Sequence, residues 1–582
     1  MRTIRTAMAI GLLCVPAVVR AAEDHDATLS SIIARASERP ILLDGARPDA
    51  GDILAAAAGV DSFPVGCATP LSLLLARPES PLPPSLQQAA ASIAARPVLD
   101  SEKISIVHEG RFAIHYSGSV SPSGLMSIDR DRNGVPDLVD RIAEALGAAR
   151  SSLVARLGFP PPAAEGERLD VFVVALGRGI EGFVVPRIEG GASSEGGVPG
   201  RSPFVILDAG LTADRVMPAT LHQVAHLSLL SLSARAPLYW AEGTASYLTL
   251  LATGDLRAHD AALRARLSLP GRGLASDSLL LMEGGLLWPQ FLSERAGDPS
   301  IVRQIWQESA AQGLDPLAAT DSVLRRSGRS LAEAAREYAA WNLFTGDRDD
   351  GQHYASGRFL PTSSLSLAGS ETPVRFEPAE PVEPLGSTAF RLPGDGRRGT
   401  VDFEFSAEGG HPGADLLVFY RPWGPQPVLV PVLFDASGSG RVSVPWADAR
   451  EAWIVLRNDA LPGGGGARFE ARALADPYAP YDLASFTASE MGGSMLLEWT
   501  TASEKGLVAW NVYRAETPGG PFTRLNSVAV PAMGDSASDT GYIFVDDVAR
   551  PGRRYYYLLE GLTDLGLPQR SHVVSGRIAS VR

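Results

Sequence analysis

Residues Pro218 to Leu250 read PATLHQVAHLSLLSLSARAPLYWAEGTASYLTL. His222 and His226 stand four apart in an apolar-periodic run, so on a helix both imidazoles leave one face, a turn apart. Two ring nitrogens placed this way can meet a single metal ion. A turn at Ala236-Pro237 separates this run from a second helical run, which carries Glu242 within Trp-Ala-Glu-Gly-Thr-Ala. Two His from one helix and a carboxylate from the next make a three-ligand zinc set with one coordination position open. The alternative for any isolated His-x-x-x-His on an apolar helix is a structural pair. The order of the surrounding elements argues for the metal.

Upstream, residues 104–116 (ISIVHEGRFAIHY) alternate apolar and polar side chains and predict the first strands of this domain. Leu169 to Leu176 (LDVFVVAL) is a continuous apolar, β-branched run, which predicts a buried strand. A Gly/Ser-rich loop spans Glu189 to Pro203, and Phe204 to Leu207 (FVIL) predicts another strand ending at Asp208. Downstream, Leu279 to Leu343 reads as helical, with Asp298-Pro-Ser opening one helix and the capping box Ser330-Leu-Ala-Glu333 opening the next.

The pair His222/His226 followed by Trp-x-Glu-Gly-x-Ala, in the order strand, loop, strand, His helix, Glu helix, resembles the gluzincin branch of the zincin metallopeptidases. Within it, the likeness is to secreted bacterial peptidases of the HExxH…E type. The resemblance implies an α+β zincin-like metallopeptidase domain over 101–360, with zinc held by His222, His226 and Glu242. It also implies that Phe204–Leu207 is the edge strand beside the metal helix and binds extended substrate by main-chain pairing. In that family a Glu follows the first His and takes the proton of the attacking water. Here the position is Gln223. Gln can hydrogen-bond a water but cannot accept its proton, and a positioned base contributes about 10²–10⁴ in rate. The expectation is a homologue that keeps the metal, hydrolyses peptides poorly or not at all, and binds peptide or protein partners in the cleft. The alternatives are an active zinc endopeptidase with an unusual base and a structural extracellular or cell-surface binding protein. Gluzincins take an oxyanion-stabilising group from a downstream Tyr or His. Tyr239, Tyr247 and His259 are candidates among which the sequence does not choose. His353, in an Asp-rich turn, reads as a surface residue.

A second metal reading lies upstream. Asp129, Asp131, Asn133, Asp137 and Asp140 put oxygen-bearing side chains at loop positions 1, 3, 5, 9 and 12. Gly134 suits the sharp turn at position 6, and Val135 offers its carbonyl at position 7. This is a calcium-loop pattern with Asp in the last position, as in dockerin-type loops. The alternative is an acidic Asn-Gly turn capping the helix predicted from Leu138 to Leu157.

Met1 to Ala22 reads as a secretory signal peptide, with Arg2 and Arg5 before an apolar core from Ala7 to Val19. The core is too short to span a bilayer comfortably. A secreted chain without a membrane partner is therefore expected. The net charge of −14 argues against nucleic acid, and loss of Arg2, Arg5 and Arg20 makes it more negative still. Residues 23–100 are Ala-, Leu- and Pro-rich and resemble a helical propeptide, with helices at Ser30–Ala36 and Leu86–Ala95. Between them lies Phe63-Pro-Val-Gly-Cys-Ala-Thr-Pro70. Cys67 is the one cysteine left after the signal segment, so no internal disulfide forms. It reads either as an inhibitory thiol that occupies the metal's open position or as a small buried hydrophobe.

The length of 582 residues suggests about three or four domains. A linker is expected from Gln352 to Ser370. Short strands between Gly/Pro turns then predict an all-β sandwich over 371–475. A second sandwich over 480–582, with Trp499, Trp510 and Arg554-Tyr-Tyr-Tyr, resembles a fibronectin type III domain. Its aromatic stripe reads as core, with a sugar-binding platform as the alternative. The fold class expected is multidomain, an α+β domain followed by two all-β sandwiches.

Overall fold

The computed structural model describes residues 66–76, 91, 93–118, 124–164, 166–177, 179–186, 202–368, 373–394, 400–420, 426–446, 449–476, 481–504, 506–534, 539–564 and 568–579. The signal segment, the helix expected at Ser30–Ala36 and most of the Gly/Ser-rich loop fall outside them. Of the helix expected at Leu86–Ala95, residues 91, 93 and 94 are described and helical. The chain divides into two compact units, 1–364 and 365–582.

The first unit holds a mixed sheet in the order β1-β2-β3-β5-β4. β1 (Glu102–Val107) and β2 (Phe112–Ser117) form the hairpin expected from the alternating run. β3 (Leu169–Val174) and β5 (Phe204–Asp208) continue the sheet in parallel, and β4 (Gly182–Val185) closes it antiparallel to β5. This corrects the sequence reading of Phe204–Leu207 as the edge strand. β5 is interior, and β4 is the edge on that side. The strand at 182–185 is only four residues long, too short to stand out against its neighbours in sequence.

The helices begin with α1 (Thr69–Ala76) and α2 (Asp137–Ala149), the latter continuing as π-helical turns over Arg150–Arg156. The central helix α3 (Val216–Leu232) is buried on nearly every face, as expected of a helix that is apolar all round. Pro218 sits in its first turn, where a missing N–H costs nothing. α4 (Leu238–Thr253) starts directly after Pro237 and packs on α3. Trp240 of α4 stacks on Trp306 at 6.1 Å, and the Trp306 indole N–H donates to Thr244 Oγ1 at 3.2 Å. Burial of such a side chain contributes about 1.5–3 kcal/mol, and these two fix the helix that carries Glu242. Helices α5 (Asp260–Ser268), α6 (Leu279–Gly284), α7 (Leu287–Ala296), α8 (Ser300–Gln312), α9 (Pro316–Arg325) and α10 (Leu331–Trp341) complete the unit. The capping box at Ser330 and Glu333 is formed as expected.

The expected linker from Gln352 is not a linker. Tyr354 and Leu360 are buried, the Tyr354 hydroxyl donates to Asn342 Oδ1 at 2.8 Å, and His353 stacks on Phe344 at 4.1 Å. The reason is composition: a polar, Gly-rich turn hides two apolar anchors that only the helical layer can bury. Ser366–Leu367 already pairs with a strand of the second unit.

The second unit is all β. Its first sandwich stacks the sheet of β6 (Ser366–Leu367), β8 (Ser387–Pro393), β10 (Pro412–Tyr420), β11 (Val428–Val432) and β13 (Ala449–Asn458) on that of β7 (Val374–Phe376), β9 (Thr400–Glu408), β12 (Ser439–Pro445) and β14 (Arg468–Asp476). Phe403, Leu416, Trp446 and Ile454 lie in the core between them. The next layers pair β15 (Asp482–Met491), β16 (Ser494–Ser503) and β18 (Thr540–Asp546), and separately β17 (Leu507–Ala515) with β19 (Arg554–Thr563). Trp499, Trp510 and Tyr557 are buried in its core. The aromatic stripe is therefore core, and the sugar-platform alternative is dropped.

Candidate metal centre

α3 presents His222 and His226 one turn apart, with rings T-shaped at 4.7 Å and Nε2 atoms 3.0 Å from each other. α4 brings Glu242 so that Oε1 lies 2.9 Å from His222 Nε2 and Oε2 lies 3.0 Å from His226 Nε2. The sulfur of Cys67 lies 3.5 Å from His226 Nε2. All four side chains are buried, and their ligand atoms lie within 4.8 Å of one another. Among the described residues this is the one such group of His, Cys, Asp or Glu. The sequence reading named all four residues, and the fold brings them to one point.

The donor set fits a small cation. The two Glu242 oxygens face the imidazole Nε2 atoms of His222 and His226, and His226 Nδ1 has no partner among the described residues. Burying a carboxylate is costly unless its charge is balanced. A tetrahedral ion with bonds of about 2.0–2.1 Å to nitrogen or oxygen has ligand–ligand edges of about 3.3 Å, and slightly longer ones to sulfur. The separations among His222, His226 and Glu242 (2.9–3.0 Å) and from Cys67 Sγ to His226 Nε2 (3.5 Å) fall at or just inside those edges. The group can therefore hold a metal ion.

Without a cation the cluster is tied together by protons. Burial alone would raise the Glu242 carboxyl, but the charges of His222 and His226 hold it far below its usual range. Burial alone would lower both imidazoles, yet Cys67 and Glu242 raise them, His222 well above its ordinary value. Burial and Glu242 push the Cys67 thiol up, but the two imidazoles outweigh them and it lies below its usual value.

Gln223 occupies the next face of α3. Its Oε1 accepts from Thr69 Oγ1 at 2.8 Å, and its Nε2 lies 3.4 Å from the Cys67 sulfur. The segment around Cys67 lies on the β4 edge. Glu181 N–H and Gly182 N–H donate to Gly66 O at 2.7 and 3.3 Å, and Ala68 N–H donates to Gly182 O at 3.1 Å. Cys67 pairs with Gly182 in a parallel bridge. Gly182 is required here, because a Cβ would meet Ile206 O at 2.7 Å and Gln223 Cγ at 3.3 Å.

A small cavity beside His222 and Gln223 is lined also by Glu181, Arg215, His259 and Glu283. Arg215 forks onto Glu181 at 2.5 and 2.7 Å. His259 Nδ1 meets Glu283 Oε1 at 2.8 Å, and the buried His259 Nε2 has no partner among the described residues. Of the three candidates Tyr239, Tyr247 and His259, only His259 lines this cavity. Glu181, Arg215 and Glu283 carry no motif and were not legible in sequence.

The acidic loop is built differently. Asp129 accepts from the N–H groups of Asn133 and Gly134 at 3.1 and 2.9 Å. The Asn133 amide donates to Asp131 at 3.0 Å and to Asp140 at 3.1 Å, and Asp137 is held by Arg130 at 2.7 Å. The backbone at Gly134 is left-handed, with φ +85, as the turn requires. Val135 N–H donates to Asn133 Oδ1 at 2.7 Å. Burial and the neighbouring Asp131, Asp129 and Asp137 raise the Asp140 carboxyl against the Asn133 hydrogen bond.

No family model matches the chain, and no curated protein matches it. Among solved structures it is similar to a Fn3-like protein from Clostridium thermocellum, at 19% identity and TM-score 0.13 over 17% of this chain and 92% of that one. A pectate lyase from Pectobacterium carotovorum gives 17% identity and TM-score 0.13 over 16% of this chain. Tripeptidyl peptidase 2 gives 8% identity and TM-score 0.20 over 38%. The chain spans 26% of the lyase and 31% of the peptidase. Likenesses at these scores say nothing about function. Among the described residues no helix is long and apolar enough to cross a membrane.

Proposed function

We propose that this chain is a secreted zinc metallopeptidase homologue that keeps its metal site and has little or no peptide hydrolysis of its own. The observation that carries the reading is the convergence of His222, His226 and Glu242 on one buried point, 2.9–3.0 Å apart. A zinc ion there supplies Lewis-acid polarisation of a bound carbonyl. Gln223 stands where a base is needed and can orient a polar group but cannot take its proton. Binding of peptide or protein partners belongs to the same reading, although the β4 edge itself is covered by main chain at 66–68. The zincin-like fold, the fibronectin type III likeness, export, and calcium in the Asp129–Asp140 loop belong to the same proposal. The second reading, a working endopeptidase with an unusual base, draws support from the buried His259–Glu283 pair in the adjoining cavity.

The test is zinc content and casein cleavage for the full chain, Gln223→Glu and His259→Ala. The proposal expects about one zinc per chain, cleavage at or near background, and a gain of up to ~10²–10⁴ in Gln223→Glu. Zinc-dependent cleavage by the natural chain that matches Gln223→Glu and disappears in His259→Ala would move the assignment to the second reading.

A further inference from the structure

The residue that breaks the peptidase pattern and the cysteine that closes the metal site touch each other, and their hydrogen bonding is fixed from outside. Val184 N–H donates to Thr69 Oγ1 at 3.2 Å. The Thr69 hydroxyl donates its own proton to the Gln223 amide oxygen at 2.8 Å, which turns the oxygen end of the amide toward Thr69. The NH₂ end is left against the Cys67 sulfur, at 3.4 Å. Thr69 N–H donates to the same sulfur at 3.4 Å. The sulfur thus has two N–H donors on one side and the His222/His226/Glu242 group on the other. That is the setting of an anionic acceptor bound to a cation.

We infer that Gln223 is a positioning residue for Cys67 as a built-in fourth metal ligand, which makes residues 66–76 a fixed wall of the domain beside the site. The inference rests on the metal-site reading above. A Glu at 223 could still accept from Thr69, but its second oxygen would face the sulfur with no proton between them. Two anionic acceptors would then be buried in contact, an arrangement that proteins avoid. Gln at this position is therefore what a thiolate at 67 demands, as well as a lost base. The wall is seated independently of the sulfur. Ala68, Thr69, Leu71 and Leu73 are buried, and a Cβ on Gly66 would run into the Glu181 carboxylate. A closed set of four protein ligands is also the pattern of structural metal sites, whereas catalytic sites keep a position open.

The test uses the full chain loaded with cobalt(II), whose absorption reports a bound thiolate directly, together with proteolysis of residues 66–76. The natural chain should show the thiolate-to-cobalt band and resist cleavage in that segment. Cys67→Ala should still bind cobalt without the band. Gln223→Leu, which removes the donor but adds no charge, should keep part of it. Gln223→Glu should bind cobalt, lose the band and expose the segment to protease. A band and protection in Gln223→Glu equal to the natural chain would overturn the inference, as would cobalt binding by the natural chain with no band. Should Gln223→Glu fail to fold, the double variant Cys67→Ala/Gln223→Glu decides. Folded and cobalt-binding, it supports the clash between the two residues; unfolded, it rejects it. Failure of the natural chain to bind cobalt or zinc at all would reject the metal centre itself, a different result from cobalt bound without sulfur.

Discussion

The buried group at Cys67, His222, His226 and Glu242 and the exposed loop from Asp129 to Asp140 both read as metal sites in sequence, and the fold treats them oppositely. In the buried group, four metal-ligating side-chain types face one another and partner only among themselves at Glu242 and the two imidazole Nε2 atoms. In the loop, nearly every carboxylate is answered by a neighbour: Asn133 bridges Asp131 and Asp140, and Arg130 holds Asp137. Water bathes the exposed loop in the absence of an ion, whereas the four side chains of the cluster are buried. Burial decides how much an ion is needed.

The largest effect expected is from His226→Ala. It removes one ligand and leaves Glu242 buried with one partner fewer, which costs about 3–5 kcal/mol when a buried ion pair is broken this way. Metal analysis and thermal unfolding should show loss of the bound metal together with a large fall in stability. Unchanged metal content would break the comparison at its strong end. Chelation of the natural chain comes next. If the site is filled at about a thousand times its dissociation constant, stripping the metal should lower stability by about 4 kcal/mol. An unfolding temperature insensitive to a strong chelator would place the metal outside this cluster.

Thr69→Val sharpens the picture without touching a ligand. It removes the donor to Gln223 and the acceptor for Val184 N–H, and it should cost about 1–3 kcal/mol for the polar groups left unsatisfied. The cobalt–thiolate band should weaken in the same variant. A neutral result in both readouts would show that the Thr69–Gln223 contact does not hold the segment.

The smallest effect is expected in the loop, and its sign is informative. The Asp140 carboxyl lies above its ordinary value in the folded chain. The folded state therefore binds more protons than the unfolded one between the two values, and stability falls as pH rises through that window. Asp140→Asn should remove this loss and slightly raise the stability of the calcium-free chain near neutral pH. It should also abolish any rise in unfolding temperature on adding calcium. A calcium-induced rise that survives in Asp140→Asn would count against the loop as a calcium site.

How much was legible follows from the range of each signal. The His pair and its helix are local, set by a four-residue spacing in an apolar run, and were read directly. The strands of the second unit were read where they exceed five or so residues of β-branched and aromatic side chains, as in Pro412–Tyr420 and Ala449–Asn458. Val374–Phe376, Arg468–Asp476 and Gly182–Val185 were not read, being short or rich in charge and alanine. Glu181, Arg215, His259 and Glu283 meet across loops and helices, so no periodicity marks them as a group.

The sequence by itself determined the helix pair that carries His222, His226 and Glu242, the Gln at 223 beside the first His, the single cysteine of residues 23–100 and the all-β character of the last third. These depend on side-chain type and on spacings of a few residues, which local backbone geometry enforces. Only the tertiary structure decided which strand is the edge, that Cys67 lies on that edge against His226, and that the Gln223 amide faces its sulfur. Those facts depend on contacts across more than a hundred and fifty residues, such as Cys67 to Gln223. Packing of β4 and α3 around Gly182 creates those contacts, and no local rule of chain geometry encodes them.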